Sequence, residues 1–138
     1  MEHTSNYNLS QWAGEDRILR EDFNADNAKI EAALDAVQAL SNSAAKVVFG
    51  TYKGNEAASR TITLDFTPKI VILTTSYGHF YDGSSGTYGG IAGTNAPCKA
   101  SSGNAIQVTT NGFLVHANYD TKAFTNLGSY TYYYVAIS

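Results

Sequence analysis

The spacing of apolar residues changes about a third of the way along the chain, from a helical period to a two-residue alternation. Between residues 16 and 42 apolar side chains recur every three or four positions, which predicts one helix. Two adjacent stripes run along it, one of them interrupted by a polar residue. The stripes are Phe23, Ile30 and Val37, and Leu19, Asp26, Ala33 and Leu40.

A helix of this length is marginal in water by itself, so its apolar stripes predict packing on the rest of the chain or on copies of itself. The residues assigned to self-association are Phe23, Ile30, Leu34, Val37 and Leu40. The segment DFNADN, residues 22–27, is rich in helix-capping residue types, so a break near Asn24 is open. The regular pattern would then cover only residues 30–40, which is short for a coiled coil.

From about Lys46 the chain alternates with period two, and turn signals separate short runs of Thr, Tyr, Val and Ile. This pattern is typical of an antiparallel sandwich. The Asn111-Gly112 pair indicates a tight hairpin. The predicted fold is therefore mainly β with an N-terminal helix: an arm and helix over residues 1–45 and a β-sandwich head over 46–138. The predicted strands are Lys46–Tyr52, Ser59–Phe66, Lys69–Thr75, Ala105–Thr109, Gly112–Asn118 and Tyr130–Ile137.

Two of these strands are apolar on both sides. Ile70–Leu73 has no polar face. The last strand carries Tyr130, Tyr132 and Tyr134 on one face and Tyr133, Val135 and Ile137 on the other. A strand of this kind lies inside a sheet and is covered on both faces. A neighbouring subunit is a natural second cover, because aromatic residues are enriched in interfaces.

Residues 1–14 are predicted to form an extended arm in which Tyr7, Leu9 and Trp12 are the apolar anchors. So short an arm has no core of its own, and these three residues must pack on something else. One interpretation docks Trp12 on the chain's own helix or on a sister subunit. The other uses the three residues to attach the chain to a larger assembly.

Residues 76–104 do not alternate and are rich in Gly, Ser, Asn and Tyr. Loops longer than about 12–15 residues in compact domains are usually functional or disordered. Tyr offers rigid contact area, while Ser, Gly and Asn offer adaptable hydrogen bonds. A ring can stack on a sugar and polar neighbours can hold its hydroxyls; alternatively, the rings pack beneath the loop or in an interface. The candidate ligand-binding residues are Tyr77, His79, Phe80, Tyr81, Asp82, Tyr88 and Asn95.

Other chemistry has weaker support. A glycosidase needs two carboxylates about 5–9.5 Å apart, and only Asp82 and Asp120 lie in suitable loops, without a supporting motif. His79 and His116 would have to converge to form a catalytic or metal site. The segment GTYGGIAG, residues 86–93, lacks the Lys and Ser or Thr of a phosphate-binding loop. We expect no enzymatic activity, no cofactor and no bound metal.

Charge, cysteine content and hydropathy argue against several further kinds of protein. The net charge is −3 and no basic cluster is present, which argues against nucleic-acid binding. Cys98 is the only cysteine, so an intrachain disulfide is impossible; it is predicted to be a small loop residue, and an intermolecular bridge stays open. No apolar run is long enough to cross a membrane, and residues 1–16 do not have the pattern of a secretory signal.

Four segments carry a family resemblance. The opening YNLSQW, residues 7–12, and DRILREDFNADNAKI, residues 16–30, resemble the start of tail fibre-like proteins from prophages of Gram-positive gut bacteria of the Firmicutes type. The head segment GTYKGNEAASRTITLDFTPKIVIL, residues 50–73, and the ending GSYTYYYVAIS, residues 128–138, resemble the small β domain at the tip of phage tail fibres.

The resemblance implies a homotrimeric receptor-binding or tail-tip protein of a phage or a phage tail-like particle. Its N-terminal part would attach to other tail or baseplate proteins, and its head would touch a bacterial surface glycan or another receptor. Such a protein is made in the host cytoplasm without a signal peptide and ends in the virion tail or an extracellular particle. The alternatives are a structural baseplate or fibre-tip component that binds only tail proteins, and a polysaccharide depolymerase.

Overall fold

The computed structural model describes the whole chain from Met1 to Ser138. The chain forms two compact units, Met1–Ala44 and Ala45–Ser138. The first contains a two-stranded hairpin and the single helix, and the second is entirely β. The elements are β1 Glu2–His3, β2 Ser10–Gln11, α1 Arg20–Ser43, β3 Val47–Lys53, β4 Arg60–Thr63, β5 Ile70–Thr75, β6 Tyr81–Asp82, β7 Gly86–Thr87, β8 Gly90–Gly93, β9 Cys98–Lys99, β10 Asn104–Thr109, β11 Gly112–Val115, β12 Ala117–Asn118, β13 Ala123–Phe124 and β14 Thr131–Ile137.

Helix α1 is continuous, so the break considered near Asn24 is wrong. Glu21 and Asp22 lie in its first turn, where acidic side chains interact favourably with the helix dipole. Asp26 is held by hydrogen bonds from Ser10 and Lys29, so it does not compete for the helix backbone. No helix of the structure combines the length and the apolar character that a membrane crossing requires.

The predicted extended arm is instead a hairpin, in which β1 pairs antiparallel with β2. The Thr4 amide donates a hydrogen bond to the Leu9 carbonyl at 2.8 Å, and the Leu9 amide donates to the Thr4 hydroxyl at 3.0 Å. Asn8 adopts a φ of 53°, a left-handed conformation that asparagine tolerates better than most residues. The sequence did not show this hairpin because each of its strands is only two residues long.

The second unit is built around two four-stranded antiparallel sheets that enclose one core. The front sheet has the order β3-β14-β5-β8 and the back sheet the order β4-β11-β10-β9. Tyr132, Leu73 and Val71 from the front sheet share the core with Phe113 and Ile106 from the back sheet. The predictions of a mainly β chain with one N-terminal helix, and of strands at the positions of β3, β4, β5, β10, β11 and β14, are confirmed.

Residues 76–104 are not the single long loop that their composition suggested. They contain β6, β7, β8 and β9, and a third sheet of order β12-β13-β7-β6 joins this region to residues 117–124. One pair in it, β13 with β7, is parallel. Cys98 therefore lies on a strand, half-buried, rather than in a loop. Strands of two to four residues that are rich in Gly leave no visible alternation, which explains the error.

Candidate functional site

The residues between β5 and β8 enclose an open cleft on the second unit. The cleft has a volume of about 830 Å³, and we call it the aromatic cleft. Four aromatic side chains and a histidine line it, together with the carboxylate of Asp82 and the hydroxyl of Ser85. Its lining residues are Gly78, His79, Phe80, Tyr81, Asp82, Gly83, Ser85, Tyr88 and Tyr130.

A tight turn after β5 positions the first wall of the cleft. Thr75 is buried, and its hydroxyl accepts a hydrogen bond from the His79 amide at 3.0 Å. Gly78 has a φ of 78° and donates from its amide to the Thr75 carbonyl at 2.9 Å. The Phe80 carbonyl then accepts from the Tyr88 amide at 2.7 Å, which ties the two sides of the cleft together. Backbone hydrogen bonds therefore fix the segments that carry the aromatic rings of the cleft.

The aromatic rings form one connected cluster from the cleft to the core. The ring of His79 lies 6.1 Å from that of Tyr88, and Tyr88 lies 5.5 Å from Tyr130. Tyr130 is 6.3 Å from Tyr132, which is fully buried. The first two pairs are edge-to-face, a favourable arrangement for aromatic rings at these distances, and the third pair is tilted. The cluster connects the cleft wall to the core and fixes ring orientation.

Hydrogen bonds anchor the buried end of this cluster. The Tyr132 hydroxyl donates to the Phe124 carbonyl at 2.6 Å and accepts from the Leu127 amide at 3.1 Å. The Tyr52 hydroxyl donates to the Thr125 carbonyl, and the Tyr52 and Tyr132 rings stack at 5.0 Å. Burial raises the pKa of both phenols, so they remain protonated donors.

Asp82 contributes a charged acceptor at the rim. Its carboxylate accepts hydrogen bonds from the Ser84 amide at 3.2 Å and from the Ser84 hydroxyl at 3.0 Å. These bonds hold the pKa of Asp82 below its ordinary value, so the group is ionised at neutral pH. Burial raises the pKa of Tyr88, which remains a neutral hydroxyl. The cleft thus offers rings, a hydroxyl donor and an anionic acceptor.

The structure brings together most of the predicted ligand-binding set. His79, Phe80, Tyr81, Asp82 and Tyr88 line the cleft. Tyr77 lies at its edge, exposed, with its ring 6.3 Å from that of Tyr130.

Asn95 is separate from the cleft. It lies in the turn after Gly93, and Gly93 pairs with Ile70 at the end of β5 opposite to Thr75. The structure therefore does not bring Asn95 together with the other candidate ligand-binding residues. Tyr130 lines the cleft but was not in the set. The sequence signal for Tyr130 is the series of alternate tyrosines in residues 130–134. Tyr130 is the first of them and lies immediately before β14.

The cleft does not assemble a pair of carboxylates, because Asp82 is the only acidic residue that lines it. His116 is half-buried, and its Nδ1 lies 3.3 Å from the Ala105 carbonyl oxygen, away from His79. No group of three or more His, Cys, Asp or Glu side chains is placed to hold a metal ion. Burial raises the pKa of the Cys98 thiol, which packs beside the Gly89 carbonyl.

A second cleft of about 400 Å³ adjoins the aromatic cleft, and Tyr81 and Gly83 line both. We call it the lysine cleft, because Lys99 and Lys122 line it together with Thr87 and Ser101. Lys99 donates to the Asn104 side chain at 2.8 Å and Lys122 to the Ser84 carbonyl at 3.1 Å. Neither ammonium group has a carboxylate partner within salt-bridge distance, so both positive charges are uncompensated.

In the first unit, the arm hairpin packs on helix α1 of its own chain. The Trp12 ring stacks on Phe23 with their centroids 5.0 Å apart. The buried carboxylate of Asp26 accepts from the Ser10 amide at 2.8 Å and from Lys29 at 3.0 Å, and Lys29 also donates to the Asn8 carbonyl. Asp26 interrupts the apolar stripe because it clamps the hairpin to the helix.

The candidate self-association and attachment residues lie side by side in this unit. Tyr7 and Leu9 line a groove of about 200 Å³ together with Ile30, Leu34 and Val37. Ile30, Leu34, Val37 and Leu40 expose between 44% and 69% of their surfaces. Tyr7 is 62% exposed, whereas Trp12 is half-buried against Phe23. The apolar stripe is therefore open along residues 30–40.

The chain matches no protein-family model, no curated protein and no solved structure. The site is therefore interpreted from its own geometry and chemistry.

Proposed function

We propose that this protein is a non-enzymatic adhesin: a homotrimeric receptor-binding protein of a phage tail or phage tail-like particle, whose head binds a bacterial surface glycan. The observation that carries the proposal is the aromatic cleft. Phe80, Tyr81 and Tyr77 expose 45%, 71% and 75% of their surfaces around it. Exposed rings at the edge of a concave site are expected to contact a ligand.

The chemistry of the cleft suits a sugar. The apolar face of a pyranose ring can stack on Tyr81 or Phe80, while the Tyr88 hydroxyl and the Asp82 carboxylate can bind sugar hydroxyls. Charge-assisted hydrogen bonds to an ionised carboxylate are about twice as strong as neutral ones, which favours Asp82 as the orienting group. With a single carboxylate in the lining, the cleft supports binding rather than hydrolysis.

The lysine cleft refines the ligand class to an acidic glycan. Because Tyr81 and Gly83 line both clefts, a glycan bound in the aromatic cleft can extend past Tyr81 toward Lys99 and Lys122. A carboxylate or a phosphate on the next unit of the glycan would meet Lys99 or Lys122. Ammonium groups interact with such anions as point charges.

Assembly would strengthen weak single-site binding. Linked sites raise the effective concentration of the second contact without any new interaction. The exposed apolar stripe of α1 supports association with other chains, and the sequence resemblance to tail-fibre proteins supports a trimer that attaches through its N-terminal unit. The location that follows is the tail of a virion or of an extracellular tail-like particle.

A structural alternative has one observation in its favour. The groove formed by Tyr7, Leu9 and the helix stripe offers an apolar surface for another tail or baseplate protein. If the chain were only a baseplate or fibre-tip component, substitutions in the aromatic cleft would leave its sole activity, binding to tail proteins, unchanged.

The test is binding of labelled protein to Gram-positive gut bacteria by flow cytometry. Tyr81→Ala removes a ring with few internal contacts and is expected to abolish most binding. Tyr119→Ala removes a ring that is similarly exposed, at 67%, but lies outside the cleft, and should bind as the wild type does. Periodate oxidation of the cell-surface sugars should also abolish wild-type binding. Equal binding by the two variants would contradict the assignment of the cleft.

A further inference from the structure

The front sheet has an apolar side that faces away from the core. Alternate residues of its four strands point outward and align in rows across the sheet: Phe49 pairs with Val135, Val135 with Ile72, and Ile72 with Ile91. A second row of outward side chains, beside the first, contains Val47, Ile137 and Ile70. We call this surface the outer sheet face. Its members are Val47, Phe49, Thr51, Ile70, Ile72, Thr74, Ile91, Tyr133, Val135 and Ile137.

The outer sheet face is open to a degree that is unusual for such residues. Phe49 is 77% exposed, Ile91 63%, Val47 49%, Tyr133 48% and Ile70 41%. Together these side chains offer roughly 500 Å² of accessible surface, given that a large aromatic side chain buries about 150–250 Å². The largest apolar patch on a typical monomer is about 300–600 Å² and is often functional. The patch is therefore at the upper end of that range.

The exposed apolar area is roughly 60% of what a stable association buries on each partner. A standard interface buries about 800 Å² on each partner. The half-buried side chains of Ile72, Val135 and Ile137 and the threonines at the border enlarge the patch toward that area. None of its members carries a charge, and depletion of charge is the compositional sign of an interface core.

The shape of the face includes both a projection and a hollow. Phe49 projects from β3, and beside it lies a groove of about 460 Å³ lined by Phe49, Thr51, Ile72, Tyr133 and Val135. Gly50 contributes only backbone to the groove, because a Cβ there would point to the core side of the sheet and collide with the Tyr134 ring. An apolar side chain of a second copy, such as its Phe49, could therefore occupy this groove.

We infer that the outer sheet face is the surface through which copies of this chain pack against one another. A second copy is favoured over another partner because one face supplies both the projecting ring and the apolar groove, so the ring of each copy can enter the groove of the next copy around a closed rotation axis. The inference rests on the proposed self-assembly and adds that the heads, through the front sheet, hold the copies together. The sequence assigned self-association to helix α1 and offered a neighbouring subunit as one cover for the two strands that are apolar on both sides.

The experiment measures the mass of the purified full chain by light scattering on a sizing column over a dilution series. Phe49→Glu with Ile91→Glu places two carboxylates in the middle of the face. Thr61→Glu with Thr63→Glu adds the same charges at exposed positions of β4 in the back sheet and is the matched control. Ile30→Asp with Val37→Asp disrupts the helix stripe.

The expected result is a wild-type mass of three chains. Phe49→Glu with Ile91→Glu should raise the concentration at which the assembly dissociates by on the order of 100-fold, because unpaired charges are costly to bury. The β4 control should keep the wild-type mass. Circular dichroism should show unchanged folding, since Phe49 and Ile91 are mostly exposed. A photo-crosslinking benzoyl-phenylalanine at position 49 should also link wild-type chains covalently.

Two outcomes would overturn the inference, and they can be distinguished. A multimeric wild type whose mass changes only with the helix variant would disprove the role of the outer sheet face and leave the proposed trimer intact. A wild type that remains a single chain at the highest concentration would disprove both this role and the trimer. Cell binding through the aromatic cleft, measured separately, would still test adhesion in that case.

Discussion

Asp26 shows how a single polar residue can serve the fold from within an apolar stripe. The residue is 8% exposed, and its carboxylate accepts hydrogen bonds from the Ser10 amide and from Lys29. Desolvation raises the pKa of Asp26, but the hydrogen bonds from Ser10 and Lys29 outweigh it, and the pKa lies below its ordinary value. The ionised form therefore stabilises the docked arm hairpin.

We expect Asp26→Ala to release the arm hairpin from helix α1. Trp12 is the only tryptophan of the chain, so its fluorescence reports this event alone. Loss of the clamp should expose the indole to water and shift its emission to longer wavelength. Asp35→Ala removes an exposed carboxylate from the same helix and is the matched control. An unshifted spectrum for Asp26→Ala would show that the Trp12–Phe23 stack holds the hairpin without the clamp.

Because Asp26 clamps the arm hairpin to helix α1, the docking of the hairpin depends on pH. The direction of this dependence follows from the lowered pKa of Asp26. Its stabilisation is present above the pKa of an unfolded aspartate, about 3.9. It is lost as the pH falls through the lower pKa of the folded protein. The Trp12 emission of the wild type should therefore shift on acidification below about pH 4, and the spectrum of Asp26→Ala should show a smaller change.

At the scale of elements, the hairpin of β10 and β11 depends on one glycine. The sequence placed a tight hairpin at Asn111-Gly112, and the hairpin is present, but its loop residues are Thr110 and Asn111. Gly112 begins β11 with a φ of 146°, where a Cβ would collide with the Ile62 carbonyl oxygen of β4. The glycine therefore permits the close approach of β11 to β4.

We expect Gly112→Ala to destabilise the second unit by about 1–3 kcal/mol, the usual range for a non-glycine residue held in such a conformation. Gly93→Ala is the control, because a Cβ at Gly93 would meet only ordinary contacts at 3.5 Å and 3.7 Å. Chemical denaturation followed by circular dichroism measures both variants. Equal stability would mean that β4 can move away without loss.

Elements were predictable where burial is one-sided and the strand is long enough to show a period. Ile62 is buried and its neighbours Thr61 and Thr63 are exposed, so the alternation located β4. The strands β6 and β7 have two residues each, too few for a period. Six of the seven proposed ligand residues lie in or beside the cleft, because composition marked the segment. Asn95 does not, because composition cannot show at which end of a sheet a turn lies.

At the scale of the whole molecule, charge is divided unevenly between the two units. Residues 1–44 contain three basic and eight acidic residues, whereas residues 45–138 contain six basic and four acidic ones. The net charge of −3 therefore conceals a head with a positive balance. Lys46 is paired with Asp65, and Arg60 lies over the Tyr52 ring, but Lys99 and Lys122 have no carboxylate partner. The uncompensated positive charge of the head thus lies partly in the lysine cleft.

This distribution predicts preferential binding of acidic glycans. Lys99→Gln with Lys122→Gln should weaken binding to a polyol-phosphate polymer and to a uronic-acid polymer by about 5- to 30-fold, the effect of losing two exposed charge contacts. Lys46→Gln with Lys69→Gln removes the same charge from residues that do not line either cleft and is the control. Binding to a neutral glucan should be equal for all variants.

Salt provides an independent check on the same charges. Because screening shortens the range of exposed charges to about 10 Å at 0.1 M ionic strength, added salt should weaken wild-type binding to the acidic polymers. It should weaken binding by the Lys99→Gln, Lys122→Gln variant much less. If the two polymers differ in affinity, the tighter one identifies phosphate or carboxylate as the anion. If the variant binds both acidic polymers as the wild type does, the lysine cleft is not part of the site, and the ligand is bound by the aromatic cleft alone.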